Sequence, residues 1–295
     1  MTQAAEMARD QTIQRFYDTY HDRIFDKRYN SPYWIRRYTH RQIHEQILRH
    51  VEAGQEVLDV GCGEGVFSLL AGQRGTIVTG VDVSRPNVQA ARRLAAEWGV
   101  RAEFFQADAE KLPFGNDSFD VVVSSHVLEH LPHLFQGLRE LYRVTRSIAL
   151  IAMPTCLNPA CWVLLGGDDY WRLGWRSPVG LPVGVAKVLI AWLRGQEGPN
   201  EGYAGHHRLP HIWRFPWIMK GQIERVGFHI MRFEAGPLII PYLAEYLPVM
   251  RRVQAALDRH CDHRLLRYVG YGSLAVCRKD RGGRRMDVLP EGDSG

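Results

Sequence analysis

Between residues 56 and 153 the chain alternates short apolar runs with amphipathic segments. The runs are rich in β-branched or aromatic residues and almost continuously apolar, which predicts strands buried on both faces of a parallel sheet. They are EVLDV, TIVTGVD, AEFFQ, FDVVVSS and IALIAM. After the second run, Ser84 and Pro86 mark the start of a crossover helix. Its apolar stripe is Val88, Ala91, Ala95 and Trp98.

The alternation resumes near the C-terminus with a helical stripe closed by Gly227, followed by two more strand patterns, HIMRFE and GSLAVCR. The whole pattern predicts an α/β fold with a doubly wound, seven-stranded, mostly parallel sheet of Rossmann-like type. Two segments fall outside this core, one rich in aromatic residues and one rich in tryptophan. The expected units are an N-terminal helical cap (1–50), the first half of the α/β domain (51–154), an inserted lid (155–214), the completion of the sheet (215–279) and a disordered tail (280–295).

The composition is that of an ordinary globular protein, with 45% hydrophobic and 23% charged residues. The net charge of +5 is spread along the chain, so we expect no nucleic-acid partner. Five cysteines without a CxxC pair predict no disulfide framework and indicate a reducing, cytoplasmic setting. The polar N-terminus has no signal-peptide core. The longest apolar stretch, residues 179–193, is interrupted by Pro182 and Lys187 and is shorter than the roughly 18 to 20 residues of a spanning helix.

A glycine-rich turn, GCGEG, joins the strand EVLDV to the helical segment VFSLLAGQ. Open α/β sheets bind ligands at such a turn between a strand end and a helix start. Gly61, Gly63 and Gly65 let the backbone approach a ligand closely and adopt positive φ. Asp82 ends the next strand, where a carboxylate can accept both hydrogen bonds of a ribose diol. The nicotinamide fingerprint GxGxxG would need glycine at Val66, which disfavours a dehydrogenase.

Three successive segments, DVGCGEG, GVDVS and QADAEKLPFGNDSFDVVVSSHVLEHL, resemble the ordered motifs of class I S-adenosylmethionine-dependent methyltransferases of the small-molecule type. The resemblance covers about residues 56–154 and is weaker at GHHR and ERVGF. It implies S-adenosylmethionine as the cofactor, bound by the 51–154 half. The residues it implies are Asp59, Gly61, Cys62 and Gly63 around the methionine part, Asp82 at the ribose, and Asp108 with Ala109 at the adenine.

Three further residues complete the predicted cofactor set. Val83 can sandwich the adenine ring with Ala109, because apolar side chains line the faces of ligand rings. Gly65 and Ser125 lie at the glycine turn and at the end of the fourth strand. A structural alternative stays open, in which Asp59 and Asp108 only cap turns.

Methyl transfer from a sulfonium is an in-line displacement, so an enzyme mainly aligns the acceptor and, for a hydroxyl, removes its proton. No metal is required for this step. The candidates follow the fourth strand, at His126, Glu129 and His130, and His130 is preferred because imidazole titrates near neutral pH. The alternative is that His130 only orders its loop or pairs with Tyr17 or Tyr20.

Other sites and activities are disfavoured by missing partners. HVLEH matches the HxxEH zinc pattern, but that pattern needs one helix and a third ligand, whereas here it follows a buried strand. Amino-directed nucleic-acid methyltransferases carry an Asn/Asp-Pro-Pro-aromatic motif where this chain has SSHV. Thr155-Cys156 imitates the Thr-Cys pair of RNA cytosine enzymes, but their Pro-Cys is absent. A non-catalytic S-adenosylmethionine-binding protein remains an alternative.

The acceptor is expected to be small, hydrophobic or lipid-linked, and methylated at oxygen, with its apolar body under the lid. The reason is the concentration of apolar and aromatic residues in CWVLLGGDDYWRLGW, VGLPVGVAKVLIAWLRG and PLIIPYLAEYLPVM, since such rings line pockets or rest at membrane interfaces. Neighbouring cations suit an anionic headgroup and predict a possible peripheral membrane contact. They are Lys187, Arg194, Arg251 and Arg252. The alternative is that these segments pack the lid on the core or form a dimer contact.

Overall fold

A computed structural model of the protein describes residues 24–201 and 211–279. The GHHR segment, Tyr17, Tyr20 and the tail from Asp280 lie outside the described residues. The strands are β1 (Glu56–Val60), β2 (Ile77–Asp82), β3 (Ala102–Gln106), β4 (Phe119–Ser125), β5 (Thr145–Pro154), β6 (Phe228–Ala235) and β7 (Gly272–Lys279). The helices are α1 (Ile24–Tyr29), α2 (Trp34–Leu48), α3 (Val66–Gln73), α4 (Arg85–Trp98), α5 (Leu134–Val144), α6 (Pro159–Leu165), α7 (Ser177–Leu193), α8 (Pro216–Arg225), α9 (Leu243–Tyr246) and α10 (Pro248–Asp258). A 3-10 turn spans Leu128–His130.

The seven strands form one sheet in the order β3-β2-β1-β4-β5-β7-β6. Strands β1 to β5 pair in parallel, while β7 lies antiparallel between β5 and β6. The predicted seven-stranded, mostly parallel sheet is confirmed. The chain reverses its direction of winding at β1, which lies between β2 and β4. The crevice at the carboxyl ends of these strands is the place where doubly wound sheets bind ligands.

Alternating side chains of the central strands bury both faces of the sheet, as continuous apolar runs predict. Leu58 of β1 belongs to a core that includes Leu138 of α5. Its neighbour Val57 points to the opposite face, in a core with Ile47 of α2 and Phe67 of α3. One face is therefore covered by crossover helices and the other also by the N-terminal cap.

Helix α4 begins where the sequence predicts. The Ser84 hydroxyl accepts a hydrogen bond from the Asn87 backbone N–H at 3.4 Å, and Pro86 lies in the first turn. The helix ends at Gly99, which has φ +64° in the left-handed region. Helix α4 thus ties the end of β2 to a fixed position beside the glycine turn.

Residues 155–201 place the α6 and α7 helices between β5 and α8. The two helices approach very closely, because a side chain at Gly184 would lie 1.7 Å from the carbonyl oxygen of Trp162. Helix α7 buries its small residues, including Gly180, Gly184 and Ala191, and exposes its large apolar ones. No helix in the described ranges is long and apolar enough to cross a membrane.

Candidate functional site

A cavity of about 590 Å³ opens at the carboxyl ends of β1, β2 and β4. Its volume lies in the range of small-molecule sites. The glycine turn and the strand ends form one wall, and residues of α1 and α2 also line the cavity, with the Phe25 N–H donating to Glu64 of the glycine turn. His126, Glu129, His130 and every predicted cofactor residue except Gly65 line it. The fold therefore brings the predicted cofactor and acceptor residues into one space.

The glycine turn uses each of its glycines differently. Gly61 has φ +73°, and a Cβ there would lie 2.2 Å from Cγ2 of Val127. Gly63 has φ +54°, and a Cβ there would meet no atom within 4 Å. The backbone at Gly61 thus lies against the loop after β4, while Gly63 keeps open space for a ligand.

Gly65 is the one predicted cofactor residue outside the cavity lining. It is the N-cap of α3 with φ +78°, and a Cβ would lie 2.9 Å from that of Ala91 and 3.0 Å from the Phe104 ring. Its small size therefore serves the contact between α3, α4 and β3 instead of ligand approach.

Asp82 joins the glycine turn to the start of α4. Its Oδ2 accepts a hydrogen bond from the Gly63 N–H at 2.8 Å, and its Oδ1 accepts one from the Ser84 N–H at 2.8 Å. Each carboxylate oxygen has two lone-pair directions, so the group can also accept from ligand hydroxyls. Asp82 lines the cavity in this orientation. The geometry suits a ribose diol, and that role stays a prediction.

Asp59 is buried beneath the glycine turn, with the Ser68 hydroxyl donating to its Oδ2 at 2.6 Å. Burial raises the pKa of Asp59 to about 7, because the charged form loses hydration. Burial also raises the pKa of the neighbouring Cys62 thiol, which therefore stays protonated. A cationic ligand at this end of the cavity would favour the ionised form of Asp59.

The predicted adenine side lies at the ends of β2 and β3. Gln106 donates its side-chain amide to the carbonyl of Val83 at 3.0 Å, which fixes the two strand ends together. Asp108 accepts a hydrogen bond from the Glu110 N–H at 2.8 Å and also lines the cavity with Ala109. Asp108 thus caps its own turn, as the structural alternative holds, and still faces the ligand space.

The loop after β4 forms the predicted acceptor side. His126 adopts φ +57°, an uncommon conformation for a residue with a side chain, and its N–H donates to the carbonyl of Ala152 at 2.9 Å. The following turn buries the Glu129 side chain to 1% exposure. Glu129 Oε1 lies 3.6 Å from both Nδ1 of His126 and Nε2 of His130.

The neighbouring imidazoles affect the ionisation of Glu129. Burial opposes ionisation of Glu129, but His130 and His126 beside it hold its pKa at about 2. The third histidine, His211, has its pKa lowered to about 3 by burial and by His130. The acceptor side therefore carries an ionised carboxylate facing a neutral imidazole of His211.

His211 is a site residue that sequence reasoning missed. Its ring lies 4.8 Å from that of His130 and 5.3 Å from that of Trp213. Trp213 in turn packs against Tyr271, with ring centroids 5.6 Å apart. These side chains come from the end of the insertion and the loop before β7. No motif in the sequence links His211 to the HVLEH segment.

The N-terminal cap supplies another wall that the sequence predicted only as a cover for the sheet edge. Phe25 and Tyr29 of α1 line the cavity together with His40 and His44 of α2. The Tyr29 hydroxyl hydrogen-bonds to Nδ1 of His44, and burial lowers the pKa of His44 to about 3. The two histidines are four residues apart on α2, a spacing that places them on one helical face.

The insertion lines less of the cavity than a lid over the acceptor would. Within its described part, only His211 and Trp213 line the cavity, together with Pro154 just before it. The prediction that an acceptor lies under the apolar runs of the lid is therefore not met for α6 and α7, because they pack on each other beside β5. The aromatic wall comes instead from α1 and from Tyr271.

The site combines an open glycine turn with carboxylates at two strand ends, Asp82 and Asp108. Residues 58–153 match the family model described as Methyltransferase domain. Over these residues the chain is similar to the class I S-adenosylmethionine-dependent methyltransferases, whose cofactor is S-adenosylmethionine.

Known proteins resemble the chain over different lengths. The ubiquinone biosynthesis O-methyltransferase of Pseudomonas entomophila (strain L48) is 37% identical over 124 residues, which are 40% of this chain and 52% of that protein. The chain thus spans about half the length of this curated relative. A crystal structure of magnesium protoporphyrin IX methyltransferase from Synechocystis PCC 6803 with bound SAH has a TM-score of 0.57 at 14% identity, covering 92% of this chain and 100% of that chain. A crystal structure of the cyclase SpnF has a TM-score of 0.57 at 17% identity, covering 92% of this chain and 96% of that chain. The two structures share the fold.

Proposed function

We propose that the chain transfers the methyl group of S-adenosylmethionine to an oxygen of a small, hydrophobic or lipid-linked acceptor. The observation that carries this proposal is the single cavity in which the glycine turn and Asp82 face the buried group around Glu129. A cofactor held at the first wall would direct its sulfonium toward the second. Methyl transfer needs this alignment more than it needs any further group.

On the cofactor wall, Asp82 accepts hydrogen bonds from the ribose diol and Asp108 accepts from the adenine amine. The ionised form of Asp59 offsets the positive charge of the methionine part. In this arrangement the backbone of Gly61 and Gly63 contacts the ligand closely. These roles are supported by the fact that all five residues line the same cavity.

On the acceptor wall, the acceptor hydroxyl attacks the cofactor's methyl carbon, so an O–CH₃ bond forms while the S–CH₃ bond breaks and leaves S-adenosylhomocysteine. The hydroxyl proton passes to the group formed by Glu129 and its histidines, with His130 as the first choice. His130 is supported by its position, because Nε2 lies 3.6 Å from a carboxylate that stabilises the imidazolium.

The name of the Pseudomonas relative includes O-methyl transfer and ubiquinone biosynthesis, and this supports an oxygen acceptor with apolar character. The cavity supports the same class, since Phe25, Leu131 and Trp213 line it between the polar groups. An apolar ring or chain can lie against these side chains while its hydroxyl reaches the Glu129 group.

The exposed face of α7 supports a peripheral contact with an anionic bilayer. Within the helix Leu193 is 75% exposed and Val179 60%, and Trp175, just before the helix, is 84% exposed. Helix α7 contains no acidic residue, and exposed arginines, Arg176 and Arg194, lie at its two ends. Tryptophan and arginine together favour the boundary between headgroups and acyl chains. This contact would deliver a lipid-linked acceptor.

The activity is tested with S-adenosylmethionine carrying a CD₃ group and a panel of acceptors, with mass spectrometry of the products. We expect label on the oxygen of apolar phenols or lipid-linked hydroxyl compounds and an equal amount of S-adenosylhomocysteine. Cofactor binding without labelling of any acceptor would leave a non-catalytic binding protein. Labelling confined to nucleic acid would contradict the proposed acceptor class.

Membrane contact is tested separately by flotation with vesicles of phosphatidylcholine alone or mixed with phosphatidylglycerol. We expect Leu193→Glu to abolish binding to the anionic vesicles. The matched control is Ile77→Glu, which changes an apolar residue of 63% exposure at the start of β2. Equal flotation of both variants, or no flotation of the unaltered protein, would contradict the contact.

A further inference from the structure

The carboxylate of Glu129 has an environment that proton transfer alone does not explain. Neither of its oxygens has a hydrogen-bond partner among the described residues, although its side chain is only 1% exposed. Buried polar atoms in native proteins are nearly always hydrogen-bonded or bound to an ion. The 3.6 Å to His126 and His130 is an ion-pair distance beyond hydrogen-bonding range.

The geometry around Glu129 is that of ligands spaced around an ion. One carboxylate oxygen of Glu129 and one ring nitrogen each of His130 and His211 lie within 4.8 Å of one another. Two ligand atoms at about 2.1 Å from a tetrahedral ion are about 3.4 Å apart. The 3.6 Å between Glu129 Oε1 and His130 Nε2 is close to this value. Small side-chain rotations of His211 would complete the set.

We propose that Glu129, His130 and His211 bind a divalent first-row transition-metal ion in the acceptor half of the cavity. Two imidazoles and one carboxylate suit Zn²⁺, Fe²⁺, Mn²⁺ or Co²⁺, whereas Mg²⁺ and Ca²⁺ prefer sets made only of oxygen. His126 lies beside the site with Nδ1 toward Glu129 and orients that carboxylate.

The third ligand is the one that the sequence pattern lacked. HVLEH was disfavoured as a metal motif because it follows a strand and needs a further ligand from elsewhere. The fold supplies that ligand from residue 211, after the insertion. The left-handed backbone at His126 (φ +57°) turns the chain sharply at the strand end. Strain of this kind is typical of functional sites.

Three protein ligands leave a coordination position open toward the cavity. With the ion bound, His130 would act as a ligand instead of as the proton acceptor, and an acceptor hydroxyl at the open position would lose its proton to solvent more easily, because the ion lowers the pKa of a bound oxygen. This role rests on the proposed methyl transfer to oxygen, whereas metal binding by the three residues does not. The ion would also hold the acceptor oxygen at a fixed distance from the cofactor.

The test uses the full chain freed of metal with a chelator and titrated with Co²⁺, whose visible absorption reports ligand number, and with Zn²⁺ in a calorimeter. We expect one ion per chain. Glu129→Gln and His211→Ala should each weaken binding by about 100-fold or more, since loss of an outer-sphere partner alone costs about 10- to 100-fold. The matched control is His133→Ala, an exposed histidine paired with Glu110.

Binding of S-adenosylhomocysteine by every variant shows that each is folded. Absence of stoichiometric Co²⁺ and Zn²⁺ binding, or equal weakening in His133→Ala, would overturn the site. If the ion binds but no acceptor is methylated, the site stands and the proposed function fails. If the metal-free chain methylates its acceptor at the full rate, the proposed function stands and the catalytic role of the ion fails.

Discussion

The two walls of the cavity are built in different ways. The proposed cofactor wall consists of strand-end turns whose residues follow one another in the sequence, and at Gly61 and Gly63 it is formed by backbone without side chains. The proposed acceptor wall consists of side chains from distant segments, Glu129 from the loop after β4 and His211 from the end of the insertion. The side chains of the acceptor wall can therefore change without altering the strand-end turns that would hold the cofactor.

The largest expected effect is on the acceptor wall. Glu129→Gln keeps the shape of the side chain and removes its charge, so kcat should fall by about 10²-fold or more, the scale of a lost proton-transfer group. His130→Ala should do the same. The dissociation constant of S-adenosylhomocysteine should stay within about twofold in both, by calorimetry, because these residues serve the acceptor. Full kcat in both variants would assign the loop a structural role.

The next effect is on the cofactor wall. Asp82→Ala should weaken binding of S-adenosylmethionine by roughly 1.5 to 3 kcal/mol, the scale of hydrogen bonds to a charged group. Calorimetry measures the loss, and Asp82→Asn serves as the conservative variant. At saturating cofactor, kcat should change much less than in Glu129→Gln. Unchanged affinity would remove Asp82 from the cofactor site.

A pair of glycine substitutions separates backbone strain from steric contact. Gly61→Ala places a Cβ 2.2 Å from Val127 at φ +73°, so it should lower the free energy of unfolding by about 1 to 3 kcal/mol. Gly63→Ala meets no atom and carries only the conformational cost of about 1 kcal/mol. Denaturant unfolding compares the two. Equal losses would mean that contact with Val127 does not constrain the turn.

The smallest effect is a proton released from Asp59. Its pKa of about 7 lies above the ordinary 3.8, so the folded chain retains a proton that the unfolded chain loses. The stability this group contributes is therefore present below about pH 4 and is lost as pH rises through about 7. A cationic cofactor favours the ionised form, so its binding at pH 6.5 should release protons.

Calorimetry in buffers of different ionisation enthalpy measures this release, which should disappear in Asp59→Asn. Between pH 5 and 8 the Tm of the unaltered protein should fall as Asp59 ionises. The Tm of Asp59→Asn should fall less over the same range. Proton release that persists in Asp59→Asn would assign the titration to another group.

The fold, and the placement of the predicted cofactor residues along one cavity, were predictable because their signals are local. The bounds of β1, β3 and β4 follow from apolar runs, and the Ser84 cap fixes the start of α4. Asp82 was found as a carboxylate at a strand end. Gly65 lies outside the cavity lining, and the sequence could not show this. A glycine with positive φ can serve either ligand approach or close packing of a helix, and the contact with Phe104 that distinguishes the two arises only in the fold.

The acceptor wall was only partly predictable because its partners meet through the fold. His126, Glu129 and His130 were found from their position after β4, but His211 follows the insertion by a path that no periodicity reveals. The apolar sequence of α7 indicated a ligand cover, yet its small residues face α6 and its large ones face outward. Composition identifies an apolar helix without telling which surface it covers.

The most direct test of the two-wall account is a crystal structure of the chain with S-adenosylhomocysteine. The account predicts ribose hydroxyls on Asp82, adenine beside Asp108, and the sulfur directed toward Glu129 and His130 across the cavity. A ligand bound elsewhere, or one whose sulfur faces away from the acceptor wall, would contradict it.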